Sequence, residues 1–280
     1  MLHTATRASS FPARRGPLAI VAAFVRRDWS VTRSYRLPFI LDGVYGILQL
    51  AVFFFVSRTF GDVGPAELNG APSYFAFAAV GIVVGLVVEA ASEGVAERVR
   101  EGQLSGTLEA LVAQPLRTAE LCAGLAAFPF MFALVRASVY LLIAGLWMGH
   151  ELSDTSWVGL AVMFLTGVAA LACLGLLGGA VVLVYKRGEV LAGMLLFGMS
   201  LISGSVFPVS ALPDWLERIG SVMPLRFAFD GVRDALFTGS GWESDALVLT
   251  GFSVIGLPFA VWVFGRALEA ARRAGSLGQY

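Results

Sequence analysis

Six long apolar segments, separated by polar or charged stretches, dominate the pattern of this 280-residue chain. A helix needs about 20 mostly apolar residues to cross the hydrocarbon core of a bilayer. None of the segments alternates polar and apolar residues with a period of two, as the strands of a membrane barrel do. The pattern therefore predicts an all-α membrane protein with six transmembrane helices, at about residues 37–57, 74–96, 121–148, 157–185, 190–206 and 246–264.

A mixed segment, residues 18–33, precedes the first predicted span. Its apolar side chains Ile20 and Phe24, with Trp29 as a third candidate, would lie along one side of a helix, with arginines on the wet side. Such a helix is typical of segments that lie in the membrane interface. The alternative is a first span that starts early, which would place Arg26 and Arg27 in hydrocarbon, where charged side chains are costly.

Basic residues are distributed unevenly over the loops, and this distribution predicts the orientation. With the first residue inside, 15 arginine and lysine residues fall on the inner side and 4 on the outer side. Cytoplasmic loops carry the excess of basic residues in membrane proteins. We therefore expect a multi-pass protein of the cell (inner) membrane with both ends cytosolic. Tails at residues 1–17 and 271–280 would flank a transmembrane domain at residues 18–270.

Composition agrees with a membrane location. The chain is 57% hydrophobic and 14% charged, whereas soluble domains carry about 25% charged residues. Its formal net charge is zero, which does not favour nucleic acid as a partner. Cys122 and Cys173 lie in apolar runs without the spacing of a disulfide framework or a metal site, and are predicted to be core residues.

Patterns for catalysis and nucleotide binding are missing from the sequence. It contains no Gly-x-x-x-x-Gly-Lys-Ser/Thr phosphate loop, and its single lysine, Lys186, lies in Tyr-Lys-Arg-Gly. The two histidines, His3 and His150, are not placed to activate Ser203 or Ser205, as an intramembrane protease would require. We therefore expect neither an enzyme nor a metal or cofactor held by this chain.

The stretch between the second and third spans predicts a short amphipathic helix parallel to the membrane. Ser105 is a plausible N-cap for it. Gln114-Pro115 would end it, because the residue before a proline avoids the α region. The expected apolar stripe consists of Leu104, Leu108, Leu111 and Val112. Such a helix can dock into a groove on a cytosolic partner, or it can be an ordinary membrane-surface helix.

The stretch between the fifth and sixth spans is too polar to cross a bilayer and too apolar for a plain loop. It predicts two short helices that dip into the outer leaflet, with Pro213 and Pro224 in their first turns. On the second helix Asp230 can pair with Arg226 or Arg233, which are one turn away on the same face. The other face is apolar and consists of Leu225, Phe229, Val232 and Leu236.

Ionisable residues inside the predicted spans are functional candidates, because charge in hydrocarbon is costly. Arg136 falls near the middle of the third span, and Glu89 lies near the inner end of the second. The two spans are antiparallel neighbours, so these side chains can pair. The pair would either line a path for substrate head groups or be a structural ion pair. Asp42 and Glu93 lie close enough to the interface to snorkel.

Two of these segments resemble motifs of the ABC-2 type transporter permeases. The run from Arg100 to Leu116 is similar to the family's loop Glu-Arg-Glu-x-Gly-Thr-Leu-Glu-x-Leu-x-x-x-Pro, with Gln103-Leu104-Ser105 inserted before Gly106. The run Ser205-Val206-Phe207-Pro208 to Met223-Pro224-Leu225 resembles the family's C-terminal signature. Together with the six-span plan, the resemblance covers nearly all of residues 18–270.

The resemblance implies two functional regions. A coupling helix that contacts an ATPase would contain Glu101, Gly102, Gly106, Thr107, Leu108, Glu109, Leu111 and Pro115. Re-entrant helices that close the outer end of the translocation path would contain Phe207, Pro208, Pro213, Trp215, Pro224, Asp230 and Arg233. The implied partners are a separate ATPase in two copies, which binds ATP and Mg²⁺, a second copy of the permease, and membrane lipids.

The function that these features predict is the permease subunit of an ATP-driven exporter. Its substrate would be hydrophobic or amphipathic, such as a drug, a lipid or a glycan. One alternative is an ion-coupled secondary transporter, although the chain shows no clear internal repeat of the kind that many such transporters contain. The other is a polysaccharide-export permease of the same superfamily.

Overall fold

The computed structural model describes residues 16–34, 36–60, 68, 70–90, 94–148, 154–185 and 188–275. Across these residues the regular elements are helical and no strand occurs, which confirms the all-α fold class. The main helices are α1 (Pro17–Ser34), α2 (Arg36–Phe60), α3 (Tyr74–Glu89), α4 (Val95–Leu104), α5 (Thr107–Val112), α6 (Thr118–Met148), α7 (Trp157–Val184), α8 (Gly188–Ile202), α9 (Asp214–Val222), α10 (Pro224–Arg233) and α11 (Trp242–Arg273).

Three helices, α6, α7 and α11, are long and apolar enough to cross a membrane. They correspond to the third, fourth and sixth predicted spans. Shorter apolar helices occupy the other three positions, at Gly43–Thr59, Tyr74–Glu89 and Val190–Ile202. A helix of 15 residues, such as α8, rises only about 22 Å, which is less than the hydrocarbon thickness of about 30 Å. Three long spans are therefore shown, and the count of six stays a prediction.

The core lies around α7, which packs along α11 and also contacts α4, α8 and α10. Small residues allow these helices to approach closely. A Cβ added to Gly179 of α7 would lie 3.1 Å from Val95 of α4 and 3.2 Å from Phe264 of α11. Both cysteines are 1% exposed, so the prediction that Cys122 and Cys173 are core residues is confirmed.

Helix α1 packs against α6, and its bounds agree with the predicted amphipathic helix. Phe24 is 6% exposed, and a Cβ on Gly124 of α6 would lie 2.6 Å from its ring. Arg26 and Arg33 are exposed, as expected for the wet side. Trp29, a candidate for the apolar side, is 54% exposed, so this part of the prediction is wrong. Asp28 is buried, which the helical pattern did not predict.

The predicted ends of the second and fifth spans fall near helix ends in the structure. Helix α3 ends at Glu89 and α4 begins at Val95, with Ala90 and Gly94 in π-helical conformation. Residues 91–93 lie outside the described ranges, so the end of the second span at residue 96 stays a prediction. The fifth was predicted to end at residue 206, but α8 ends at Ile202. The cause is Gly204, which takes a left-handed φ of 88°. The N–H groups of Gly204 and Ser205 donate to O of Leu201 and of Ser200, which is the glycine-terminated helix end known as the Schellman motif.

Several predictions fall on residues outside the described ranges. They concern the tails at residues 1–15 and 276–280, the side chains of Asp42 and Glu93, both histidines and Lys186. Of the second predicted tail, residues 271–273 continue α11.

Candidate functional site

Helices α4 and α5 meet at a tight turn, and the two helices with this turn are called the α4–α5 corner below. Gly106 takes a φ of 70° immediately before α5, a left-handed conformation that costs other residues about 1–2 kcal/mol. Ser105 closes the end of α4, where its Oγ donates to O of Glu101 at 2.6 Å. The prediction that Ser105 is the N-cap of the following helix is therefore wrong, because Gly106 occupies that position.

The predicted apolar stripe is divided between the two helices of the corner. Leu108 is 1% exposed. A Cβ added to Gly102 would lie 3.2 Å from the Cβ of Leu108, so the two residues are in close contact. Leu111 and Val112 are half-buried. Leu104 belongs to α4 and is 62% exposed, so its place in the stripe is a wrong prediction.

The exposed surface of the corner is both apolar and acidic. It includes four of the eight predicted coupling residues, because Glu101, Gly106, Thr107 and Glu109 are exposed along with Leu104. Pro115, which follows α5, is exposed as well. Gly102 and Leu108 are buried inside the corner. Helix α5 ends at Val112, ahead of Pro115, so the predicted end of the amphipathic helix is confirmed. The corner can therefore offer the side chain of Leu104 and the carboxylates of Glu101 and Glu109 to a partner.

An ion pair joins the corner to α1. Asp28 of α1, 5% exposed, is paired with Arg98 of α4 and with its neighbour Arg27. The guanidinium of Arg98 also lies 5.1 Å from the ring centre of Phe128 in α6. Burial lowers the pKa of Arg98, and Asp28 opposes the shift. Sequence reasoning missed this pair, because its two members lie 70 residues apart.

A second link joins the corner to α11. Arg272 in the last turn of α11 donates from Nη2 to O of Val112, the last residue of α5. Arg272 was counted among the inner basic residues, but nothing in the sequence connects it with a residue 160 positions away.

The predicted contact between Glu89 and Arg136 is present. Nη2 of Arg136 lies 4.0 Å from Oε2 of Glu89, at the limit of an ion pair. The Arg136 side chain is 19% exposed and that of Glu89 is 48% exposed. The Arg136 guanidinium also lies 5.9 Å from the ring centre of Phe132. The pairing is confirmed, and a role in lining a path stays a prediction.

Arg233, in the last turn of α10, is completely buried. Its Nη2 donates to the carbonyl oxygens of Gly204 at 2.8 Å and of Ser205 and Phe77 at 3.3 Å each. Its guanidinium carbon lies 3.6 Å from the ring centre of Phe77, within the range of a cation–π interaction. Arg233 with these three partners, called the Arg233 junction below, joins α10, α3 and the turn after α8.

Asp230 balances the charge of the Arg233 junction. Its carboxylate accepts from Nη1 of Arg233 at 3.4 Å and from Nε of Arg226 at 3.1 Å, so the predicted pairing is confirmed with both arginines. Burial lowers the pKa of Arg233 to about 10 although Asp230 acts to raise it, so the guanidinium stays charged at neutral pH. Sequence patterning had placed Arg233 on a polar face and did not predict its complete burial.

The turn after α8 rests on the backbone of α3. A Cβ added to Gly81 would lie 1.6 Å from O of Ser205, so the contact requires glycine at this position. Gly81 was not singled out from the sequence, and its contact with the turn was not predicted, because the two segments are distant in the chain.

The rest of the α9–α10 segment follows the sequence pattern. Its predicted apolar face is buried, with Leu225, Phe229, Val232 and Leu236 each at most 2% exposed. Pro224 is the first residue of α10, as predicted, and Pro213 directly precedes α9. Phe207 and Pro208 are half-buried, and Trp215 is 63% exposed.

Long apolar helices, with charged side chains at their ends and between them, define this chain as a multi-pass membrane protein. Residues 19–237 match the model of the ABC-2 type transporter family. The chain therefore belongs to this family of membrane transport proteins. It is also 28% identical over 176 residues to nodulation protein J of Sinorhizobium fredii (strain NBRC 101917 / NGR234). That match covers 62% of this chain and 66% of the relative, slightly less than two thirds of its length.

Proposed function

We propose that this chain is the membrane permease subunit of an ATP-driven exporter. The family match supports the proposal, because residues 19–237 include the α4–α5 corner and the Arg233 junction. Members of this family normally work with an ABC ATPase. The observation that carries the proposal is the α4–α5 corner, which exposes Leu104, Glu101 and Glu109 although Gly102 and Leu108 on its inner face are buried.

The ATPase would dock on the exposed surface of the α4–α5 corner. Leu104, 62% exposed, is the apolar side chain that a pocket on the partner would enclose. Glu101 and Glu109 flank it, so the rim of that pocket would be basic. Interfaces commonly depend on a few such enclosed side chains with a polar rim around them. Leu108, which is buried, would hold the shape of the corner rather than touch the ATPase.

The proposed orientation has six spans with both ends cytosolic, as the 15-to-4 distribution of basic residues predicts. The α4–α5 corner would then be cytosolic and the Arg233 junction would lie at the outer side. Helix α11, with 32 residues, rises about 48 Å and would extend beyond the hydrocarbon into the cytosol. Two permeases and two ATPases would form the exporter in the cell membrane.

The proposed substrate is hydrophobic or amphipathic, with drugs, lipids and glycans as the classes to test. Export of polysaccharide would be one form of this function, and an ion-coupled secondary transporter is the alternative of another class. In the exporter, Glu89 and Arg136 are the candidate charged groups along the path. Leu41, Leu48 and Phe55 of α2, each more than half exposed, would face lipid or the second permease.

If a neighbouring gene encodes an ABC ATPase, co-expression of that ATPase with this chain tests the proposal. Extrusion of ethidium and of a fluorescent phospholipid would be measured with the wild-type ATPase and with one whose phosphate-loop lysine is replaced. We expect extrusion to stop with the replaced ATPase while both subunits remain in the membrane. Extrusion that continued with the replaced ATPase and followed an imposed ion gradient would support the secondary transporter instead. Glycosyltransferase genes beside this chain would indicate a glycan.

A further inference from the structure

Helix α11 contacts both candidate functional regions, one at each of its ends. At its first turn it packs on α10, where a Cβ on Gly231 would lie 2.9 Å from Cβ of Asp245. Gly231 lies two residues before Arg233. At its last turn α11 carries Arg272, which is bonded to α5. One continuous helix of 32 residues therefore connects the Arg233 junction with the α4–α5 corner.

The hydrogen bond from Arg272 satisfies a backbone carbonyl group at the end of α5 that has no partner within that helix. The last carbonyl groups of a helix have no partner within it, and Val112 is the last residue of α5. A cation at this end also interacts favourably with the helix dipole. Leu268 and Ala271 are 8% and 4% exposed, so the turn that presents Arg272 is itself packed in the protein.

The body of α11 is packed firmly enough to transmit a displacement. Leu249, Ala260 and Phe264 are each 0% exposed, and α11 lies against α7 along its length. Pro258 removes one backbone hydrogen bond in the middle of α11, and these buried residues lie on both sides of it, so the packing continues across the interruption. Coupling between distant sites is carried by packed side chains and rigid elements of this kind.

We propose that Arg272 is a positioning residue that couples α5 to α11, so that a displacement of the α4–α5 corner reaches the Arg233 junction along α11. This role rests on the proposed function, because it is the ATPase that would displace the corner. Arg272 touches neither ATP nor substrate in this mechanism. It acts by fixing the end of α5 to the end of a long helix.

Hydrogen–deuterium exchange on the reconstituted permease–ATPase complex tests this role without a known substrate. In the wild type, we expect ATP to change exchange both in α5 and in residues 224–246. In Arg272→Ala the change in α5 should persist, and the change in residues 224–246 should fall about fivefold or more, a typical size for allosteric coupling. Arg272→Lys, which keeps the positive charge, should restore most of the ATP-dependent change in residues 224–246.

Arg273→Ala is the matched control, because Arg273 is the next residue, 84% exposed, and meets Glu269 of its own helix at 3.9 Å. If Arg272→Ala and Arg273→Ala respond to ATP alike, the coupling role is wrong. Exchange in α7 reports whether the fold is intact. If Arg272→Ala raises exchange in α7, Arg272→Met is compared with Arg272→Lys, because these two side chains are of similar length and only lysine is charged. Equal responses of these two variants to ATP would likewise contradict the role.

Failure of the coupling role can be distinguished from failure of the proposed function. If the wild-type permease binds no ATPase, or transports without ATP hydrolysis, the exporter itself is contradicted. If the wild-type complex hydrolyses ATP and responds in residues 224–246, but Arg272→Ala responds equally, only the role of Arg272 is wrong.

Discussion

The guanidinium of Arg233 lies against the ring of Phe77, 3.6 Å from its centre, and also donates to the carbonyl oxygen of the same residue. The two residues are 156 positions apart. A single arginine therefore ties α10 to α3 through both a side chain and a backbone group. Because the guanidinium is completely buried, its partners have to replace all of its hydration.

Removal of the Arg233 side chain should destabilise the protein strongly. Arg233→Ala leaves three carbonyl groups and the Asp230 carboxylate without their buried partner, which costs about 3–5 kcal/mol for a broken buried pair. Arg226→Ala is the control, because Arg226 pairs with the same carboxylate but is 33% exposed and should cost about 1 kcal/mol or less. Thermal unfolding in detergent measures both, and equal losses would contradict the assignment.

Substitution of Gly81 should displace the turn after α8. In Gly81→Ala the new Cβ would overlap O of Ser205, so α3 and the turn must separate and the Arg233 hydrogen bonds must lengthen. Gly85→Ala lies one turn further along α3, where a Cβ meets nothing within 4 Å, and should fold normally. We expect a lower melting temperature and more proteolysis near residue 204 for Gly81→Ala alone. Equal behaviour of the two variants would show that the turn does not rest on α3.

Two leucines of the α4–α5 corner should respond differently to the same substitution. Leu104→Asp changes an exposed side chain, so the permease should remain stable but bind the ATPase at least about tenfold more weakly, as for an interface hot spot. Leu108→Asp buries a carboxylate against Gly102 and should destabilise the corner itself. Pull-down of the ATPase and thermal unfolding separate the two effects. Normal ATPase binding by Leu104→Asp would remove Leu104 from the proposed interface.

The stability of the protein should depend on pH through Asp234. Burial first, and then the neighbouring Asp230, raise the pKa of Asp234 from its ordinary value of 3.8, although Arg233 opposes the shift. A carboxyl group with a raised pKa in the folded state contributes stability at low pH, which is lost as pH rises through that pKa. Asp234→Asn cannot ionise, so its stability relative to wild type should increase as the pH rises above the ordinary pKa of 3.8 and through the raised pKa of Asp234. A difference in melting temperature that did not change with pH would contradict this.

A charge exchange tests the pairing of Glu89 with Arg136. Glu89→Arg and Arg136→Glu each place like charges together and should lower stability by on the order of 1 kcal/mol, because Glu89 is half exposed. The double variant should recover most of the loss, as a double-mutant cycle on an interacting pair does. Additive losses in unfolding experiments would show that the pair does not interact. If the double variant is stable, its transport activity compared with that of the wild type would show whether the substrate requires the acidic group at position 89 and the basic group at position 136.

The helical framework could be predicted from the sequence, because burial in lipid leaves a strong apolar signal. The apolar face of α10 and the charge pairs within it were also predicted, since both depend on spacing within one helix. The glycine-terminated end of α8 followed from local chemistry too, but the apolar run through Val206 obscured it. In each of these cases the decisive residues lie within a few positions of one another.

The remaining features depend on contacts between distant segments. Ser105 was predicted to be the N-cap of α5, but Gly106 takes that position in a turn that packs Leu108 on Gly102 of the preceding helix. The burial of Arg233 requires backbone carbonyl groups of Phe77 and Gly204, and a carbonyl group carries no signal in the sequence. In the sequence Asp28 and Arg98 are indistinguishable from ordinary interfacial charges, and only the folded arrangement of α1 and α4 brings them together.

The buried position of Arg233 also has a consequence for the order in which the chain is assembled in the membrane. A charged guanidinium without its acceptors is expensive in an apolar environment. Its acceptors come from α3 and from the end of α8, both of which precede α10 in the chain. The α9–α10 segment can therefore settle only after α3 and α8 are in place, so closure of this end of the protein is a late step in its biogenesis.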